Sequence, residues 1–224
     1  MSLTDTFIKL SEKGLLPDFI IRAGIRNLCK QRIDQCKSED CEANAELAEK
    51  YIEESDASPM AVLTDKANEQ HYEVPASFYQ KVLGKNLKYS CCFFDPYAND
   101  LINAENRALE LSCEHANLED EMEILELGCG WGSLSLWMAT NYPKARITSI
   151  SNSHSQREHI LGEARKRGLN NLDVLTEDIN AFETDKQFDR VVSVEMFEHV
   201  RNHRELFRRI YSWLTPGGKL FTHV

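Results

Sequence analysis

A parallel α/β sheet covered by helices is the fold class this sequence predicts, and two observations predict it. From Glu121 onward, short apolar runs alternate with helical periodicities, the pattern of strands joined by crossover helices. The first of those runs ends in Glu126-Leu127-Gly128-Cys129-Gly130-Trp131-Gly132, which reads as strand, glycine turn and helix. Strands are expected at 122–127, 146–151, 172–176, 188–194 and 219–224, with helices at 133–141, 155–167 and 204–214. Gly168 offers the second helix a C-cap, and Pro216-Gly217-Gly218 stops the third. The buried stripe of that third helix is read as Leu206, Phe207, Ile210, Tyr211 and Leu214. In such a sheet ligands sit beyond the carboxyl ends of the strands, where strand order reverses. The residues just after each strand are therefore the ones to read for chemistry.

Ahead of the sheet, residues 1 to about 57 read as helical. In a helix starting at Pro17 and running to about Gln35, Ile21, Ile25 and Leu28 share one face, while Arg22, Arg26 and Lys30 recur every four residues on another. The basic stripe is read as a solvated face, with contact to anionic lipid as the alternative. An acidic helix follows at about 43–54, and residues 55–66, with Ser58-Pro59, read as a linker. With 36 acidic against 26 basic residues the net charge is -10, which disfavours a nucleic-acid partner whose phosphates must be neutralised. Seven cysteines (Cys29, Cys36, Cys41, Cys91, Cys92, Cys113, Cys129) make no C-x-x-C pair. The opening residues do not read as a signal peptide, and no apolar run is long enough to span a bilayer. A reducing cytoplasmic compartment with free thiols is expected, and no metal site.

Three glycines at alternate positions leave a turn against which a ligand can lie on bare backbone at a helix N-terminus. The spacing G-x-G-x-G is neither the G-x-G-x-x-G of dinucleotide folds nor a P-loop, since no Gly-Lys-Ser/Thr follows. Acidic Glu126 at the strand end suits a ligand with a cationic amino group better than one with phosphates, which points to S-adenosylmethionine as cofactor. A tight connection that binds nothing is the competing explanation. After the second strand, Ser151-Asn152-Ser153-His154-Ser155-Gln156 lacks an acidic residue for ribose hydroxyls, so Asn152 and Gln156 would supply those hydrogen bonds, compatibly with a helix N-cap at Ser153 or Ser155. After the third, Glu177-Asp178-Ile179 offers a carboxylate for an exocyclic amine and an apolar side chain for an adenine face, or else only a solvated loop. After the fourth comes Val194-Glu195-Met196-Phe197-Glu198-His199. If the chain turns helical there, Glu195, Glu198 and His199 share one face beside the cofactor. Such a trio can hold or deprotonate a nucleophile, a helix-starting cap being the structural alternative.

The glycine turn with Trp131, Asn152-Ser153 with Gln156, and Glu195 to His199, together with Ala67-Asn68-Glu69-Gln70-His71-Tyr72-Glu73-Val74-Pro75 and Lys88-Tyr89-Ser90-Cys91-Cys92-Phe93-Phe94, resemble the cyclopropane-fatty-acid synthase family of methyltransferases. The likeness covers roughly residues 60–224, and the double cysteine with Glu195 is most similar to its coclaurine N-methyltransferase branch. The resemblance implies a Rossmann-like core over 121–224, a helical segment over 66–120 covering cofactor and substrate, and a helical extension over 1–65. It implies that Tyr89 and Ser90 cover the methionine end of S-adenosylmethionine, with Gly128, Gly130, Gly132, Ser151, Asn152, Gln156, Asp178 and Ile179 completing the pocket. In the cyclopropane synthases the residues matching Cys91, Glu198 and His223 help hold a bicarbonate that removes a proton after methyl transfer to an alkene. In the N-methyltransferase branch those matching Glu198 and His199 sit by the substrate amine. A buried pair of small apolar side chains is the plainer reading of Cys91-Cys92.

One departure stands out. The family's sheet has seven strands, whereas the sequence stops at Val224, at the end of the fifth. An incomplete chain is therefore expected, with an edge strand open to solvent or to another copy. The activity expected is methyl transfer from S-adenosylmethionine to a small-molecule amine, or else to a lipid acyl alkene. A cofactor-binding module without catalysis is the rival from another class.

Overall fold

The structure is a computed structural model and describes residues 3–37, 40–62 and 76–224. The motif at Ala67–Pro75 and the latter part of the expected linker lie outside the described residues. The chain divides into two compact units, Met1–Glu54 and Ser55–Val224. The first is helical, with α1 (Leu3–Glu12), α2 (Asp18–Cys36) and α3 (Cys41–Asp56), whose last residues belong to the second unit. Pro17, locked at φ -63, precedes α2, and Asp18 places a carboxylate in its first turn, where it also accepts from Arg22 at 3.2 Å. Arg22 of the basic stripe is thus tied along its own helix. No described helix is long and apolar enough to cross a membrane.

The second unit opens with α4 (Ala76–Val82) and α5 (Leu101–His115), the latter capped by the Asp100 carboxylate accepting from the Asn103 N–H at 2.8 Å. Then β1 (Glu123–Leu127), α6 (Ser133–Asn141), β2 (Arg146–Ser151), α7 (His154–Arg167), β3 (Leu172–Thr176), β4 (Phe188–Val194), α8 (His203–Trp213) and β5 (Leu214–His223) follow in order. The five strands are parallel, in the order β3-β2-β1-β4-β5. The chain steps outward from β1 in one direction and then crosses to β4 on the other side. The reversal therefore falls between β1 and β4, the crevice where such folds bind ligands.

Apolar side chains on both faces of the central strand explain why helices cover both sides. Ile124 packs with Leu109, Leu134, Met138, Ile147 and Ile160 from α5, α6, β2 and α7, whereas Leu125 and Leu127 pack with Phe188, Leu206, Ile210 and Trp213. Gly168 ends α7 at φ 68, donating back to Arg165 O.

Two details differ from the sequence reading. The buried stripe of α8 is Leu206, Ile210 and Trp213, while Phe207 and Tyr211 are exposed. Positions 206, 210 and 213 follow the i, i+4, i+7 line of one helical face, and 207 and 211 lie one step round from it. The fifth strand starts at Leu214, pairing with Phe188, and regains register at Lys219 opposite Arg190. Pro216, without an N–H, and Gly217 at φ 86 swing the chain out of the ladder as a bulge rather than ending the strand.

Two glycines separate backbone strain from packing. At Gly132, at φ 80, an added Cβ would stand 2.5 Å from Ile160 Cγ1, whereas at Gly168, at φ 68, it would meet nothing within 4 Å. Gly168→Ala should cost about 1 kcal/mol, the strain alone. Gly132→Ala should cost about 2 kcal/mol or more, because Ile160 is wholly buried and cannot yield. Urea unfolding of both variants checks the order, and equal losses would mean that Ile160 gives way.

Candidate active site

A cavity of about 410 Å³ opens at the carboxyl ends of the strands, within the range of small-ligand sites. The glycine turn forms its floor. Gly128 and Cys129 both donate their N–H to Ile150 O, at 3.1 and 3.0 Å, which ties the turn to the end of β2. Gly128, Gly130 and Gly132 have φ values of 78, 51 and 80, all in the left-handed region that side chains disfavour. Their surroundings differ. A Cβ on Gly128 would collide with Met196 at 2.7 Å and one on Gly132 with Ile160, but one on Gly130 would meet no protein atom within 4 Å. Gly128 and Gly130 line the cavity. Gly132, expected in the pocket, instead lets α7 pack closely behind it.

Glu126, 3% exposed, also lines the cavity, but its carboxylate is satisfied from within. Oε2 accepts from Ser149 Oγ at 2.7 Å and from Ser135 Oγ in a shorter contact. Burial raises its pKa, and the two hydroxyls, which favour the charged form, oppose that rise. At the end of β2, Ser151 Oγ donates to Gln156 Oε1 at 2.6 Å, and Ser153 caps α7 by accepting from the Gln156 N–H. Ser151, Asn152 and Gln156 all line the cavity, so capping and lining coexist.

After β3, Asp178 and Ile179 join the lining. Asp178 Oδ1 accepts from the Asn180 N–H at 2.8 Å, and the Asn180 side chain exchanges two 3.0 Å hydrogen bonds with the backbone of Ala61. Ala61 also bridges Val200. Ala61 and Val62 thereby reach the cavity wall, although nothing in their side chains signals it.

The segment carrying Lys88, Tyr89 and Ser90 forms another wall. Glu105, fully buried on α5, accepts from the Asn86 N–H at 3.0 Å and the Lys88 N–H at 3.4 Å, fixing the turn in which Leu87 takes φ 51. Lys88 Nζ donates to Ser90 Oγ and, at 2.7 Å, to Cys91 O. Burial lowers the Lys88 pKa, with the charges of Cys91, Cys92, Glu195 and Glu105 opposing. The ring of Tyr89 stands edge-on to buried Tyr79 at 5.3 Å, and Tyr79 lies 5.0 Å from Trp131 of the glycine turn. Sequence reasoning assigned nothing to Lys88 and Glu105. The only signal was a lysine beside Tyr89-Ser90.

Beyond β4 the expected helical face does not form. Glu195 takes φ 56, and only then does the chain make a single 3₁₀ turn, Phe197–His199. Glu195, Glu198 and His199 all line the cavity, but the trio divides at this left-handed residue. The Glu195 N–H donates to His223 O at 2.8 Å, and its carboxylate gathers with Cys91 Sγ and the His223 ring, all within 4.8 Å. Cys91 is exposed and Cys92 half-buried, so they are not a buried pair. Neither Cys91 nor His223 is among the cavity-lining residues.

Glu126 yields a pH test. Its folded carboxyl holds a proton more tightly than the ordinary 4.5, so between those values the native state binds more protons than the unfolded one. The stability this contributes is complete below the ordinary pKa and is lost as pH rises through the folded one. In urea titrations from about pH 4 to about pH 8, Glu126→Gln, with no proton to lose, should gain relative to wild type as pH rises. A difference that does not change with pH would mean the folded pKa is not raised.

The match to known proteins runs through this whole site. The family model for mycolic acid cyclopropane synthetase matches residues 63–224. The chain is 39% identical over 215 residues to (S)-coclaurine N-methyltransferase of Thalictrum flavum subsp. glaucum, covering 96% of this chain and 59% of that protein. It is 31% identical over 157 residues to cyclopropane-fatty-acyl-phospholipid synthase of Escherichia coli (strain K12), covering 69% of this chain and 39% of that one. The crystal structure of coclaurine N-methyltransferase bound to N-methylheliamine and SAH matches with a TM-score of 0.90 at 34% identity, over 99% of this chain and 64% of that one. This chain therefore spans about three fifths of the length of its coclaurine N-methyltransferase relatives. Since the family match takes in the glycine turn, the 195–199 turn and all five strands, the chain belongs to the mycolic acid cyclopropane synthetase family.

Proposed function

We propose that this chain binds S-adenosylmethionine and belongs to an enzyme that transfers the sulfonium methyl to an amine. The observation that carries the reading is one cavity at the β1–β4 crevice lined both by the bare backbone of Gly128 and Gly130 and by Glu198 and His199. The donor set fits the cofactor. Gly130 leaves open space where a side chain would stand, Asn152 and Gln156 offer amide groups, and Asp178 with Ile179 pairs a carboxylate with an apolar surface. The cofactor supplies the activated methyl group. The chain's residues position it, exclude water and, at Glu198 or His199, accept the proton that the amine gives up. A reducing, cytoplasmic setting is part of this reading.

Methyl transfer to a lipid alkene is the second reading, favoured by the approach of Cys91 Sγ to His223 Nε2 at 4.0 Å. The resemblance implies a bicarbonate at that place in the cyclopropane synthases. Here the Glu195 carboxylate occupies the same neighbourhood, and its charge opposes a second anion. The amine reading ranks first for that reason, and the likeness to coclaurine N-methyltransferase supports it.

Gly130→Val should abolish cofactor binding, at a strain cost of about 1–2 kcal/mol from the left-handed backbone that leaves the variant folded by circular dichroism, because the added Cβ stands in open space with no protein atom within 4 Å. Calorimetric titration with S-adenosylmethionine reads this, and unchanged affinity would sink the cofactor assignment. Glu198→Gln and His199→Ala should each reduce methyl transfer to an amine by on the order of a hundredfold, with cofactor affinity little changed. Following labelled methyl from cofactor to acceptor measures it. Turnover within a few-fold of wild type, or label found only in phospholipid, would reject the amine mechanism.

A further inference from the structure

We propose that Cys91, Glu195 and His223 form a site for a thiophilic divalent cation of the zinc class. The three come from separate parts of the chain: the segment after Lys88, the residue after β4, and the last residue of β5. Their sulfur, carboxylate and imidazole ligand atoms all lie within 4.8 Å of one another. Cys91 Sγ and His223 Nε2 are 4.0 Å apart, and a tetrahedral zinc ion with Zn–S about 2.3 Å and Zn–N about 2.0 Å needs them roughly 3.6 Å apart. Small side-chain rotations close that gap.

The backbone prearranges two of the three ligands. The Glu195 N–H donates to His223 O at 2.8 Å, and the ladder sets Val194 opposite His223. The left-handed backbone at Glu195 belongs to the same arrangement. Cys91 is held through its carbonyl, which accepts from Lys88 Nζ at 2.7 Å. Cys91 and Glu195 are exposed and His223 is half-buried, so an ion can reach them from solvent.

A thiolate, an imidazole and a carboxylate are a mixed set that suits zinc and its thiophilic analogues, whereas magnesium and calcium take oxygen ligands. Three protein ligands leave a fourth position for water. On coordination Cys91 binds as thiolate and its proton passes to solvent. The buried Lys88 ammonium also faces Cys91 and Glu195 and tempers the affinity for a second cation. Because Glu195 lines the cavity, a bound ion withdraws that carboxylate from it. No sequence spacing announces the site, since Cys91 and His223 stand 132 positions apart.

Cadmium titration under reducing, oxygen-free conditions tests this without reference to methyl transfer. The host is the whole chain carrying Cys29→Ser, Cys36→Ser and Cys41→Ser, which removes the exposed thiols of the first unit. The ultraviolet sulfur-to-cadmium band should saturate at one ion per chain, and zinc should displace the cadmium while magnesium does not. Glu195→Gln and His223→Ala should each weaken binding by on the order of tenfold or more, Cys91→Ser should abolish the band, and Cys92→Ser should leave it intact, all with unchanged circular dichroism. A band that survives Cys91→Ser, affinity unchanged in both Glu195→Gln and His223→Ala, or displacement by magnesium would overturn the proposal, leaving an adventitious ion only.

Discussion

The carbonyl oxygen of Ile150 accepts hydrogen bonds from the N–H groups of both Gly128 and Cys129, and the cavity floor depends on that shared acceptor. It fastens the chain leaving β1 to the end of its parallel neighbour, so the turn cannot lift toward the ligand space. To reach that carbonyl and still enter α6, the backbone takes positive φ at three alternate residues. Each glycine then faces a different surrounding: Met196 of the 195–199 turn at Gly128, open space at Gly130, and Ile160 of α7 at Gly132.

Around this floor the walls are held by buried polar groups that are satisfied before any ligand arrives. Glu126 is received by Ser135 and Ser149, and Glu105 by two backbone N–H groups. The Lys88 ammonium spends two of its donors on Ser90 and Cys91. A buried charge without such partners costs several kcal/mol, so these contacts decide where the wall segments rest. Asn180 does the same for Ala61 with a neutral amide. Removing Glu105 or Asn180 unfastens a loop, whereas removing Glu126 loosens β1 from β2 and α6, which links local satisfaction to the shape of the site.

The parallel sheet was legible because short runs carrying apolar residues alternate with helical periodicities from Glu121 onward. The glycine turn was legible because three alternate glycines have few structural uses. Phe207 and Tyr211 misled because an apolar side chain one step off the helix face counts in a periodicity and need not be buried. Glu195 misled for a different reason. Nothing in Val194-Glu195-Met196 signals a left-handed residue, since its conformation follows from the pairing of β4 with β5. Glu105 and Asn180 carried no signal, because their partners are backbone groups distant in sequence.

Glu195 shows how such a conformation is maintained. A non-glycine residue at φ 56 bears a strain of about 1–2 kcal/mol. The hydrogen bond from its N–H to His223 O extends the β4–β5 ladder by one more step. The ladder offsets the strain, and in return the reversal turns the carboxylate toward Cys91 and the His223 ring while the next residues fold into the short turn bearing Glu198 and His199. One backbone inversion thus parts Glu195, gathered with Cys91 and His223 at the sheet's end, from Glu198 and His199 on the short turn, while Glu195, Glu198 and His199 all line the cavity. Because β5 holds one side of that inversion, any shift of β5 along β4 would move Glu195 and, through it, the start of the turn bearing Glu198 and His199. The edge strand is therefore part of the site's geometry as well as part of the sheet.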